Sequence, residues 1–345
     1  MKVIVIGAGV AGLTCAVELA ERGVEVEVIE RAEVPPWQRP PEASAAGGCS
    51  WYAGGMLAPW CERENSDPLV AKLGEESIEW WSTRFPGTVR QGTLVVAHVR
   101  DVPELSTFAR RTERYAWLDR ERIGSLEPDL EGRFHRALFF SSEAHLSPRD
   151  ALRSLSGRLS GLGSVVRYGA SFSGVTGNDT RVVDCRGLES RDVLTDLRGV
   201  KGEMVMLRTR EVSLSRPVRV LHPRIPVYVV PRGNGLFMVG ATTIESDDPH
   251  KVSVRSMVEL LGAAYALHPA FGEAEVVEMG AGVRPAFADN LPRIRWRDGV
   301  LYVNGLYRHG FLLAPALARI AADALMHDRL HPEVMDEDSR QRRLA

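Results

Sequence analysis

The chain has 345 residues, more than one ordinary hydrophobic core takes in, so two lobes or one large α/β domain with a second layer are expected. With 44% hydrophobic and 26% charged residues it sits near the average of soluble globular proteins, which excludes a disordered, collagenous or disulfide-framed chain. Its 43 basic and 45 acidic side chains leave a formal charge of -2, with no global field to attract nucleic acid or an anionic membrane.

The opening MKVIVIGAG reads as a strand entering a tight turn, which leaves no room for a signal or transit peptide, so a cytoplasmic location is expected. The apolar run 3–6 is followed by GAGVAG and then by LTCAVELAERG with apolar residues at helical spacing. In such a strand, turn and helix, Gly7 makes the turn, Gly9 lets backbone approach a pyrophosphate and Gly12 packs helix on strand. The helix start then offers free N–H groups and a partial positive charge to phosphates. Gly23 ends the helix, and VEVEVIE forms a second strand finishing on Glu30, whose carboxylate can accept from a ribose diol. These features in register within 30 residues predict a dinucleotide site, without separating FAD from NAD. GLGSVVR near Gly161 and GAGVRP near Gly280 both lack the third glycine, so one such site is expected.

Residues 31–48 are rich in proline and alanine without a period and read as a long surface excursion. In CSWYAGGMLAPW, residues 49–60, small residues would let backbone lie close against a flat ring system; an ordinary helix start is the alternative. Strands are expected in 91–98 and 137–142, then a helix over 148–162 capped by Ser147 with Pro148 at its first position. RVVDCRG reads as a buried strand, and GEMVMLR with PVYVVPRGNGLFMVGAT as antiparallel strands, the latter two joined at Asn234 and Gly235. A helical stretch near 252–267 precedes EVVEMGAGVRPAFADNLP, the strand VLYVNG and LYRHGFLLAPALARIAADAL. The apolar part of the last segment, 311–325, is broken by Pro315, Arg319 and Asp323 and reads as a core-facing helix rather than a membrane span. The fold class is thus α/β: a Rossmann-like dinucleotide-binding domain, for FAD or NAD, over 1–85, 147–200 and 281–335, and a mostly antiparallel-sheet substrate domain over 86–146 and 201–280.

Cys15, Cys49, Cys61 and Cys185 lack a CxxC pair and the nine histidines lack metal spacing, so reduced thiols and no metal are expected. The pair Trp80 and Trp81 reads as packing.

GAGVAG with Glu30, SWYAGGMLAP, VYVVPRGNGLFMVGAT, and the pair AGVRPAFADNLP and LYRHGFLLAP resemble, in order, the FAD-dependent D-amino-acid oxidase superfamily and, within it, the glycine oxidases of thiamine thiazole synthesis. The resemblance implies FAD contacts at Gly7, Gly9, Val10, Ala11 and Gly12, at Glu30 and Arg31, at Cys49 and Ser50, at Gly54, Gly55 and Met56, and at Leu306, Tyr307, Arg308, His309, Gly310, Phe311 and Leu312. It also implies that Arg284, Tyr228 and Arg308 hold the carboxylate of a small amino acid. A planar guanidinium suits that task, gripping a carboxylate with two parallel hydrogen bonds to which a phenol adds a third. Hydride loss from the substrate, assisted by the amine lone pair, would give an imine, with dioxygen reduced to hydrogen peroxide. No cysteine follows Arg284 where sarcosine oxidases tether their flavin, so FAD is expected to be non-covalent. The resemblance suggests a homo-oligomer. Thr243 stands where glycine oxidases have a methionine lining the small pocket, CRGLESR replaces a small-residue turn, and the proline-rich excursion is longer than usual. A dehydrogenase of the same fold that delivers electrons to a quinone or another acceptor, or a nucleotide-binding protein without turnover, are the alternatives.

Overall fold

A computed structural model describes residues 1–39, 48–174, 179–222, 227–248 and 251–335. One sheet has six strands in the order Arg293–Arg297, Val300–Asn304, Thr180–Asp184, Lys2–Ile6, Glu25–Glu30 and Val165–Tyr168. All neighbours are parallel except the first pair. The central strand KVIVI is β-branched and fully buries Val3 and Val5, as a strand covered on both faces requires. Helices Val10–Glu21, Pro68–Arg84, Pro148–Gly161 and Gly310–His327 close over this sheet in one core. Ser147 caps the third of these, its Oγ accepting from Asp150 N, with Pro148 at the first position.

The helix Gly310–His327 is long and apolar enough to cross a membrane by length and composition. Its apolar side chains from Phe311 to Ala324 are nevertheless buried against its neighbours, which makes it a core helix. Pro315 lies inside it and lacks the N–H that Phe311 O would accept. The indole Nε1 of Trp81 donates to that carbonyl instead, at 2.8 Å.

The second sheet runs in the order Ile244–Glu245, Arg198–Arg208, Leu236–Gly240, Val227–Pro231, Val218–Leu221, Thr93–Ala97, Arg136–Phe140 and Ala116–Asp119. Glu275–Ala286 pairs along the other edge of Arg198–Arg208. Only Val218–Leu221 and Thr93–Ala97 run parallel. A separate core lies beneath the helix Val254–Leu267, whose N-cap is Ser253.

The sequence reading differs from the structure in a few places. The buried strand after residue 180 ends at Asp184; Cys185 N still donates to Ile6 O at 2.8 Å, and the chain leaves the sheet after it. The hairpin expected to turn on two residues turns on four, 232–235, with φ values of +80°, +52° and +69° at Gly233, Asn234 and Gly235. The glycine-rich segment around Gly280 is the twelve-residue strand Glu275–Ala286, which pairs along Arg198–Arg208. In the excursion 31–48, residues 40–47 lie outside the described residues, and Pro36–Gln38 forms a 3-10 turn.

Candidate active site

The first turn works as its glycines demand. Gly7 has φ +98°, and a Cβ on Gly12 would fall 1.8 Å from Gly7 O, so neither position accepts a side chain. The helix Val10–Glu21 begins at Gly9 without a side-chain cap, and Val10 N donates to Ser50 Oγ at 3.1 Å. At the end of the second strand Glu30 is fixed by two backbone donors, Ala8 N to Oε2 at 2.8 Å and Ala32 N to Oε1 at 2.9 Å. Each oxygen keeps lone-pair capacity for a diol.

A cavity of about 1120 Å³ opens between this helix start, the segment 49–56 and the loop 303–312. Gly9, Val10, Ala11, Cys49, Ser50, Gly54, Gly55, Met56, Tyr228, Arg284 and every residue from Leu306 to Leu312 line it. Gly7 and Gly12 lie outside the lining and form the turn itself. Glu30 also lies outside it, and Arg31 is exposed and paired with Glu189. Glycine turn, bare helix start, fixed carboxylate and adjoining cavity together fit an adenine dinucleotide joined to a flat ring.

Arg284 sits in Glu275–Ala286 opposite Val200. It lies over Gly202, where a Cβ would fall 2.0 Å from Nη2. Its Nη1 donates to Thr242 O at 3.1 Å, and burial pulls its pKa below that of a free guanidinium. Arg308 projects from the 3-10 turn Tyr307–His309, where Tyr307 holds φ +50°. Its Nη2 is 3.6 Å from Glu62 Oε2, and that negative charge raises its pKa. Arg308 makes no hydrogen bond to the described residues, so its N–H donors remain available at the cavity wall. The Tyr228 ring packs over Gly54, where a Cβ would fall 2.7 Å from its Cε2.

The sequence reading missed Glu62, which ends the short helix Pro59–Glu62 and lines the cavity. Its carboxylate also lies 3.7 Å from His309 Nδ1 and 3.7 Å from Arg219 Nη1. Burial opposes its ionisation, but the charges of Arg308 and Arg219, joined in acid by that of protonated His309, prevail and hold its pKa at about 2. Burial pushes His309 down to about 4 against the pull of Glu62, so this imidazole is neutral at ordinary pH. Nothing in PWCERE singles out Glu62, because its neighbours Arg219 and Arg308 come from distant parts of the chain. Thr243, expected in the pocket, is exposed and outside the lining; Thr242 is buried and meets Arg284. No cluster of three or more potential metal ligands occurs among the described residues.

A protein of Rhizobium etli named as a thiamine biosynthesis oxidoreductase, ThiO, is 53% identical over 96% of this chain and 99% of its own length. The glycine oxidase of Pseudomonas aeruginosa is 26% identical over 94% of both chains. The crystal structure of glycine oxidase from Bacillus cereus superposes with a TM-score of 0.78 at 23% identity, covering 95% of this chain and 96% of the other, and so shares its fold. The family model described as FAD dependent oxidoreductase matches residues 2–324, nearly the whole described chain, and with the glycine turn and its cavity already in place, this protein belongs to that family.

Proposed function

We propose that this FAD-dependent protein oxidises glycine and other small primary or secondary amines and D-amino acids to the imine, which hydrolyses to the 2-oxo acid, and that dioxygen is reduced to hydrogen peroxide. The observation that carries the reading is the pair of cavity-lining guanidinia, Arg284 and Arg308, which together make one hydrogen bond to the described residues. A site built to receive a carboxylate has this character. Tyr228 lines the same cavity and would donate its phenolic hydrogen to the carboxylate. Glu62 offsets one positive charge and orients Arg308, which suits a single carboxylate.

When bound, FAD supplies the electron acceptor; Gly9, Val10, Ser50, Gly54 and the loop Leu306 to Leu312 would hold it without a covalent bond. The protein's part is positioning and the exclusion of water. The amine must reach the site neutral, and its lone pair makes a side-chain base unnecessary. The name of the Rhizobium relative favours supply of thiamine synthesis, at its thiazole branch, as the role; a cytoplasmic location and a homo-oligomeric assembly are part of the same proposal. The division into an FAD domain over 1–85, 147–200 and 281–335 and a substrate domain over 86–146 and 201–280 belongs to the same reading.

Anaerobic bleaching of the flavin by glycine, sarcosine, D-alanine and D-proline tests the proposal and ranks the substrates. Bleaching without peroxide in air would assign a dehydrogenase with another acceptor; no bleaching by any of the four overturns the reading. Arg284→Ala is expected to raise the KM for glycine by at least about a hundredfold while the protein stays yellow.

A further inference from the structure

Across the backbone of Ala53 and Gly54 from the first cavity lies a second, of about 1430 Å³, and Ala53 lines both. Its floor is one face of the antiparallel sheet, carrying the buried side chains of Met204, Met206 and Met238. Two indoles stand at its rim, each with a guanidinium over the ring: Arg149 lies 4.6 Å from the centroid of Trp51 and Arg153 lies 6.0 Å from that of Trp37. Arg149 is neutralised by a two-pronged ion pair with Glu278, both contacts at 2.8 Å.

Arg232 is different. It donates to Leu146 O at 2.9 Å, Gly54 O at 2.6 Å and Ala53 O at 3.4 Å, all neutral carbonyls. It has no carboxylate partner among the described residues, and burial pulls its pKa down to about 10. A desolvated cation is costly; the Asp150 carboxylate in the same lining offsets part of that cost without pairing with Arg232, and an anion entering the cavity at the guanidinium would offset more. Thioether sulfur and indole surfaces are polarisable and favour the face or edge of a flat ring.

We propose that the second cavity is a binding site for a small planar aromatic anion, with its ring against the methionine floor and the indoles and its acid group toward Arg232 and Arg153. This site stands apart from the amine cavity and does not depend on the reaction proposed there. It communicates with that cavity nonetheless, because Arg232 holds the carbonyl of Gly54, and the Tyr228 ring packs on Gly54. A ligand that draws on Arg232 therefore bears on Tyr228.

Calorimetric titration of the FAD-loaded protein with 1-naphthoate, and with the neutral 1-naphthylmethanol as control, tests the site. We expect one equivalent of naphthoate to bind, with similar affinity in Arg284→Ala, and the alcohol to bind at least about tenfold more weakly. Trp37→Ala and Arg153→Ala are each expected to weaken naphthoate at least about fivefold; Arg153 is exposed, so its replacement does not threaten the fold. Failure of naphthoate to bind, equal binding of acid and alcohol, unchanged affinity in both second-cavity variants, or loss of binding in Arg284→Ala overturns the proposal, the last by placing the ligand in the amine cavity.

Discussion

Gly202 contributes no functional group, yet it sets where Arg284 can lie. A methyl group there would fall 2.0 Å from Nη2, so Gly202→Ala must push the guanidinium away. The expected outcome is a rise in the KM for glycine of at least about tenfold with FAD still bound, measured by steady-state kinetics and flavin absorbance. His309 leads to an opposite expectation. With its pKa pushed to about 4 by burial, it carries no charge above about pH 5, so His309→Asn should leave the acid limb of the pH–kcat/KM profile where it is. A displaced limb would show that His309 titrates in the working range. Arg284, Tyr228 and Arg308 were expected in one pocket because each sits in a segment that carries the family resemblance, and all three line the first cavity. Glu62 was not, because its meaning is given by Arg219, Arg308 and His309, none of which is near it in the chain. The expectation for Thr243 failed by one position: its neighbour Thr242 is the residue turned inward.

The helix Pro59–Glu62 is only four residues long and rests on a single buried carboxyl. Glu143 Oε1 accepts from Trp60 N at 3.0 Å and from Cys61 N at 2.7 Å, one residue before Glu62. Burial raises the pKa of Glu143 to about 8 despite these donors. Because the folded state prefers the protonated carboxyl, its contribution is complete in acid and is lost as pH rises toward and through about 8. Glu143→Gln keeps an acceptor and cannot ionise. Its melting temperature should therefore gain on that of the wild type between about pH 5 and about pH 8, as scanning calorimetry at several pH values would read. A constant difference across that range would mean that Glu143 stays ionised. Among the elements, the opening strand, turn and helix were legible because glycine spacing, apolar period and a terminal acid agree. Glu275–Ala286 was not legible as a strand, since its glycines carry a turn signal that pairing with Arg198–Arg208 overrides. Gly280 and Gly282 are tolerated there because Tyr52 and Cys49 pack where side chains would stand.

At the scale of the whole molecule, the two largest hydrophobic clusters among the described residues lie one against each sheet, and a smaller one packs Leu105 and Phe108 on the second sheet. The order of the strands was not legible, because neighbours in the first sheet lie as much as 178 residues apart in register, as Lys2 and Thr180 do. The helix Gly310–His327 joins the cavity loop to the larger core, and its proline leaves one carbonyl to Trp81. Trp81→Phe keeps the ring and removes the donor, so stability should fall by about 1–3 kcal/mol in urea unfolding. Adding Pro315→Ala supplies the missing N–H and should recover part of that loss; a double variant no more stable than the single one would sink this account.

The arrangement of the first sheet also governs when it can assemble. The strand Lys2–Ile6 lies between Glu25–Glu30, which follows it closely in the chain, and Thr180–Asp184, which is made well over a hundred residues later. Val300–Asn304 and the helix after it come later still. The nascent protein thus carries an unfinished parallel edge through most of translation, a state in which apolar strands stay open to wrong partners. The wall of the flavin cavity is incomplete until the loop Leu306 to Leu312 has been made, so flavin capture is expected to follow its synthesis and fragments that stop before residue 306 are expected to purify colourless.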